Sequence, residues 1–309
     1  MSLVNTTKRR MRRLIGPLYH AAKRTIRAAF RPRKWRDLEQ ARQQLAIDPS
    51  DAGFLERVRE VWVRLPLPPA DPWSDAYRQH WLNVYRQIVG TDYELKREAH
   101  VFDVESAIKT PFPYCTRNAE VVGGQLIGIG SLIRLMSLPA GASILEMGPG
   151  WGNTSLTLAQ MGYKVTTLDI EERFCRLIET RARTLGVELK VIRGDFFSAR
   201  DIGECFDAVL FYESFHHCAD HLRLLDELAQ IVRPHGQLVL AGETIDEDIP
   251  YDWGINPNGE AIWQIINNGW FELAFRESYL LRTLARKGWR TDACRSSVAT
   301  ANVYLSRRG

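Results

Sequence analysis

The stretch Ser143–Gly152, Ser-Ile-Leu-Glu-Met-Gly-Pro-Gly-Trp-Gly, limits what this chain can fold into more than any other. Ile144 and Leu145 end a short apolar run that reads as a buried strand, and Glu146 follows at its carboxyl end. Gly148, Gly150 and Gly152 then make a turn that feeds a helix starting near Asn153 or Thr154. Glycines suit such a turn because they tolerate unusual backbone angles and let a ligand approach the main chain. The helix start beyond it offers unpaired N–H groups to a carboxylate or phosphate. From here strands and helices alternate. Strands read over 143–146, 164–169, 190–193, 206–212, 237–241, 289–294 and 301–306; helices read over 154–160, 172–185, 220–231 and 275–287. Alternation of this kind builds a parallel sheet covered on both faces, whose ligands sit beyond the carboxyl ends of the strands. The expected class is α/β: a doubly wound, mostly parallel seven-stranded sheet with an N-terminal helical extension.

Asp169 ends the second strand, 23 residues after Glu146. An acid about 20 residues beyond a glycine turn is placed to hold both hydroxyls of a ribose; capping the next helix is the lesser alternative. The glycine spacing is G-x-G-x-G, whereas the dinucleotide fingerprint is G-x-G-x-x-G. Glu146 would repel a pyrophosphate but can accept a hydrogen bond from an amino group.

Glu146-Met-Gly-Pro-Gly-Trp-Gly152 resembles the first motif of class I S-adenosylmethionine (SAM)-dependent methyltransferases, and the resemblance runs from about Thr110 to the C-terminus. It implies a Rossmann-like methyltransferase fold, SAM as cofactor, and a final antiparallel strand pair. It also implies roles. Glu146 sits beneath the methionine end of SAM, with Gly148, Gly150 and Gly152 passing against it. Asp169 takes the ribose and Ile170 contacts adenine. Asp195 accepts the adenine amino group while Phe196 flanks the ring. Tyr114, Thr116 and Arg117, in the segment Thr110-Pro-Phe-Pro-Tyr-Cys-Thr116, are candidates for a lid; the segment reads equally as a simple connector.

Phe211-Tyr-Glu-Ser-Phe-His-His-Cys218 follows the fourth strand, where this family places the methyl acceptor. The Asn/Asp-Pro-Pro-Tyr motif of amino-methylating enzymes is absent, which turns the reading away from nucleic acid and toward oxygen. An imidazole near neutrality can take a hydroxyl proton as the methyl arrives. The expected base is His216 or His217, with Glu213 orienting it. No metal site is expected, because adjacent histidines do not share a helix face and no CxxC or HExxH spacing occurs. Some sugar O-methyltransferases hold a cation with carboxylates, for which Glu213, Glu243 and Asp246 are the alternative set. The acidic and aromatic run Gly242–Trp253 opens a long excursion holding Trp263 and Trp270. Carboxylates beside Tyr251 and Trp253 suit a sugar ring; a surface loop with a buried aromatic anchor fits equally. The motifs together resemble bacterial methyltransferases of glycan and glycosyl-transfer pathways, which implies a saccharide or other small hydroxyl acceptor.

Charge divides the chain unevenly. Twelve of the 41 Lys/Arg lie in residues 1–36 with no acid among them, so the remainder carries 29 bases against 37 acids. Residues 1–36 read as a basic amphipathic arm able to lie on an anionic membrane, bind nucleic acid or stay solvated. Residues 37–109 read as a helical extension and 110–309 as the methyltransferase domain. Val121–Leu138 approaches the length of a membrane span, but Gln125 and Arg134 would be costly inside one. It reads instead as a helix packed on the sheet through Gly124, Gly128 and Gly130. Five cysteines without paired spacing and no secretory signal point to a cytoplasmic protein, peripheral to the inner membrane face through its arm.

Overall fold

The computed structural model describes residues 34–48, 53–110 and 118–308. Most of the basic arm, and Tyr114, Thr116 and Arg117, lie outside the described residues.

Seven strands form one sheet: β3 (Ser143–Met147), β4 (Lys164–Asp169), β5 (Lys190–Arg193), β6 (Phe206–Tyr212), β7 (Val232–Ala241), β10 (Trp289–Cys294) and β11 (Val303–Arg308). Their order is β10-β11-β7-β6-β3-β4-β5. β3 to β7 are mutually parallel, and β11 runs antiparallel to both β7 and β10. This is the doubly wound, mostly parallel sheet that the alternation implies. Side chains alternate between two cores, as a pleated strand buried on both faces requires. Ile144, Ala208, Leu210 and Val239 face the helix Ala119–Met136. Leu145, Val209, Phe211 and Leu238 face the other way, toward the helix His221–Ile231. β7 starts five residues earlier than the sequence suggests. A register shift between Phe206 and Ala208 carries the strand through Pro234-His-Gly236, which a regular ladder would exclude.

The N-terminal extension carries the helices Leu38–Leu45, Phe54–Glu60, Asp75–Val89 and Val104–Lys109. It also pairs two short parallel strands, β1 (Lys34–Arg36) and β2 (Val61–Val63). The stripe Tyr77, Trp81, Tyr85 is core: Tyr77 packs on Trp253 and Trp81 on Tyr251, with centroids 5.2 and 4.4 Å apart. The excursion after β7 is therefore not a surface loop. It forms β8 (Trp253–Ile255), the helix Gly259–Asn268 and β9 (Leu273–Phe275), with β8 and β9 antiparallel. It shares one apolar core with the extension.

Ala119–Met136 is long and apolar enough to cross a bilayer, yet here it lies on the sheet. A Cβ on Gly128 would fall 2.2 Å from Tyr212 Oη and 2.4 Å from the Thr300 carbonyl oxygen. Gly124 also faces Thr300, whereas Gly130 has nothing within 4 Å and takes no part in the close approach. Gly128→Ala is expected to cost about 1–3 kcal/mol through overpacking. Gly130→Ala is expected to be neutral or to gain up to about 1 kcal/mol of helix propensity. Urea midpoints of the two variants check the contrast.

Candidate active site

The glycine turn sits where β3 meets the helix Asn153–Gln160. Gly148 and Gly152 hold φ of 66° and 72°. A Cβ on Gly152 would lie 2.5 Å from Ile178 Cγ1, and one on Gly148 would lie 2.9 Å from Ser214 Cβ. Gly150 has no atom near its Cβ position, so the turn is open there. Glu146 is buried beneath the helix start and accepts the Ser155 hydroxyl. Burial pushes its carboxyl up to about 7, partly offset by its bonds to Ser155. Asp169 is also buried; it accepts N–H bonds from Gly150 (3.1 Å) and Glu171 (2.9 Å). Burial raises it to about 6 against those donors. Ile170 lies half-buried beside it. Asp195 Oδ1 caps the short turn Phe196–Ile202 by accepting Phe197 N, Ser198 N and Ser198 Oγ. The Phe196 ring comes within 3.4 Å of where a Gly148 Cβ would be.

The second half of the site follows β6. Ser214 Oγ donates to the Met147 carbonyl at 2.7 Å, tying this turn to the glycine turn. Ser214, Phe215 and His216 each donate a backbone N–H to Glu243, a buried residue just past β7. His216 Nδ1 lies 2.7 Å from Glu243 Oε2. Burial works against the Glu243 carboxylate, but His216 and these donors hold it below the usual range. An ionised carboxylate only accepts, so Nδ1 carries the proton. In the neutral ring Nε2 is then a lone pair, 3.4 Å from Glu272 Oε2.

His217 differs. Its Nδ1 lies 3.2 Å from Glu98 Oε2. Burial disfavours the charged ring, but Glu272 and Glu98 outweigh it and push the pKa up to about 9. A ring charged at neutrality has no lone pair to offer a proton, so of the two histidines only His216 suits a base. The expected orienter changes too. Among the described residues no hydrogen bond joins Glu213 to either histidine; Glu243 holds His216 instead. Glu213 has φ of 55°, unusual for a residue with a side chain. It is exposed to solvent. Desolvation raises its carboxyl to about 7, with His216 opposing and Glu243 and Glu272 adding to the rise.

His216 and His217 sit on a single 3-10 turn, Phe215–His217, not on a helix, and their rings are 4.3 Å apart. The objection that neighbours on a helix diverge therefore does not apply. Candidate ligand atoms of His216, His217 and Glu272 lie within 4.8 Å of one another. His221, in the same sequence run, is elsewhere: it is buried, bonded to Tyr279 Oη at 2.8 Å, and driven down to about 3 by burial.

Aromatic rings pack around the two turns. Trp151 of the glycine turn packs on Phe102 of the extension, with centroids 5.2 Å apart. Trp270 stands edge-on to His100 and His217 at 5.4 and 6.0 Å. Tyr251 and Trp253, expected at the rim, are buried instead: Tyr251 Oη donates to the Ile255 carbonyl, and Trp253 Nε1 donates to the Pro72 carbonyl at 2.8 Å. Glu98, Glu272 and His100 escape sequence reasoning, since no motif surrounds them. Glu243 was visible only as one carboxylate among several.

Residues 145–240 match the model of a methyltransferase domain. A ubiquinone biosynthesis O-methyltransferase of Xanthomonas axonopodis pv. citri is 30% identical over 105 residues, 33% of this chain and 44% of that protein. One from Ruegeria sp. is 26% identical over 194 residues, 63% of each chain. The match thus spans less than two thirds of either relative. A SAM-dependent methyltransferase from Aquifex aeolicus aligns at 18% identity and TM-score 0.46, over 67% of this chain and 97% of that one.

Proposed function

We propose that this chain is a SAM-dependent methyltransferase that methylates a hydroxyl oxygen of a small acceptor. Residues 145–240 are its methyltransferase domain. One observation carries the reading: Ser214 joins the glycine turn to the turn that presents His216, so the glycine turn and an oriented imidazole are held side by side. The cradle fits SAM in particular. Glu146 and Asp169 offer carboxylates to an ammonium and a ribose, and the turn is open at Gly150. When bound, SAM supplies an electrophilic methyl group on a sulfonium. His216 Nε2 would take the proton of the acceptor hydroxyl as that oxygen is methylated. Glu243 fixes the tautomer and the ring plane. Positioning supplies much of the rate in such an in-line transfer.

The relatives support oxygen as the atom methylated, since both carry O-methyltransferase in their names. Glu98, Glu213 and Glu272 near the two histidines favour a neutral acceptor over an anionic one. A saccharide remains the acceptor class we favour, supported by carboxylates and an imidazole beside Trp270; the buried Tyr251 and Trp253 lend it nothing. We place the enzyme in the cytoplasm, with residues 1–36 touching an anionic membrane. The concentration of twelve bases in that arm supports this reading. Sedimentation with anionic vesicles, with and without residues 1–36, checks the membrane part.

Calorimetric titration with SAM, S-adenosylhomocysteine and NAD tests the core of the proposal; binding of NAD alone would refute it. His216→Ala is expected to lose turnover by about 10²–10⁴-fold while SAM affinity holds. If it stays fully active, the acceptor needs no imidazole. Acidity gives a further check. Asp169 must be ionised to accept two hydroxyls, and its pKa is about 6. SAM affinity should therefore rise about tenfold from pH 5 to 7.5. Stability of the free protein should run the other way. An acid whose folded pKa exceeds its unfolded value loses stability as pH rises from about 4 through 6. Urea unfolding over that range reads the sign.

A further inference from the structure

We propose that the outward face of the helix Ala119–Met136 pairs with the same face of a second copy of this chain, antiparallel and about a two-fold axis. The inference goes beyond the methyltransferase reading and uses no residue of that site.

One side of this helix seats on the sheet through Gly128, Ile129, Leu132 and Met136, all buried. The other side is also apolar, and nothing among the described residues covers it. Leu126 and Ile127 stand there as neighbours, 54% and 51% exposed. Gly123 and Gly130 flank them, and a Cβ on either would meet no atom within 4 Å. Glycine inside a helix costs about 1 kcal/mol against alanine. Gly124 and Gly128 repay that cost by touching Thr300; Gly123 and Gly130 touch nothing in their own chain. Close approach of another backbone is what glycines at such positions permit.

Charge selects the partner. Glu120 and Arg134 lie seven residues to either side of Ile127, so all three share a helix face. Both are exposed, and among the described residues neither enters an ion pair. Each suits the helix dipole at its own end, but the dipole does not require that both project from the apolar face. A two-fold axis through the Leu126–Ile127 pair sets Gly123 against Gly130 of the second copy and brings Glu120 within reach of its Arg134. The contact repeats on the other side of the axis, as an isologous interface requires. A parallel pairing would set acid on acid and base on base. An anionic bilayer would draw in only bases, and this face carries one of each sign. The helix covers the sheet face opposite the core shared with the extension and the excursion, so the pairing leaves His216 and Trp270 uncovered.

The test is sedimentation equilibrium of the full chain over about 1–100 µM, a range that reads micromolar pairing. Mass is expected to rise with concentration from 35.4 kDa toward twice that value. Ile127→Glu is expected to weaken pairing by about tenfold or more. Glu120→Arg and Arg134→Glu alone each turn two attractions into repulsions and are expected to weaken it by about tenfold. The double variant is expected to pair as the wild type does, and so is an equimolar mixture of the two single variants, because each brings the charges the other lacks. Thermal midpoints in dilute solution should stay within a few degrees, since all three side chains are exposed. A wild-type chain that stays monomeric throughout overturns the proposal. So does a dimer that Ile127→Glu and both charge reversals leave intact, because another face then pairs. A double variant that fails to recover pairing overturns the antiparallel arrangement. A monomer whose sedimentation with anionic vesicles is lost in Ile127→Glu assigns the face to lipid instead.

Discussion

Glu243→Gln is expected to cut turnover by about 10³–10⁴-fold while SAM affinity stays within twofold. The amide oxygen of glutamine can still accept from Ser214 and Phe215. Its NH₂ group then replaces Oε2, which now meets the His216 backbone N–H and the His216 ring. Donor faces donor, so the ring must change tautomer, present Nε2–H outward and lose its lone pair. A wrong tautomer in a hydrolytic triad costs about 10⁴-fold, and the same logic applies to proton removal here. Glu243→Ala is worse for the fold. It strips the acceptor from three backbone N–H groups and one imidazole, all buried. Leaving a buried donor unsatisfied costs about 1–3 kcal/mol. Turnover and calorimetry on the glutamine variant, with urea unfolding of the alanine variant, separate the two effects. Turnover within tenfold of wild type in Glu243→Gln would show that the tautomer of His216 does not matter.

Asp169→Ala is expected to weaken SAM binding by about 1–3 kcal/mol, the cost of leaving hydrogen-bonding groups unpaired. The loss has two sources. Ribose hydroxyls lose an acceptor, and so does the Gly150 N–H that Asp169 now fixes at 3.1 Å. Asp169→Asn separates them in part: its amide oxygen can keep the Gly150 bond, but its NH₂ then faces the Glu171 N–H and donates to a hydroxyl where the carboxylate accepted. An intermediate loss for asparagine would assign part of the effect to the turn. Unchanged SAM affinity in both variants would remove Asp169 from the site.

Much of the cofactor side was legible because its information is local. The glycine turn, Glu146 and Asp169 lie within one strand-helix-strand unit, and each strand from β3 to β6 begins and ends within one residue of its sequence reading. The acceptor side was legible only in its histidines. The partner of His216 lies 27 residues away, and the two meet because β6 and β7 are sheet neighbours. The nearer Glu213 looked the better partner by sequence distance, but its φ of 55° belongs to a backbone that Glu243, not Glu213, holds in place. Tyr251 and Trp253 misled for a different reason. An aromatic beside acids reads as a rim, and nothing nearby in sequence reveals that Tyr77 and Trp81 cover them.

The shared core of the extension and the excursion has a consequence for descent and for engineering. Glu98 receives the Phe271 N–H at 2.9 Å, so the two segments meet beside His217 from far apart in the chain. Neither can drift alone. A graft that brings one of them from a methyltransferase would carry half a lock. Acceptor preference should travel between such proteins only when both segments are exchanged together, as a single heritable cassette split by the whole cofactor-binding half.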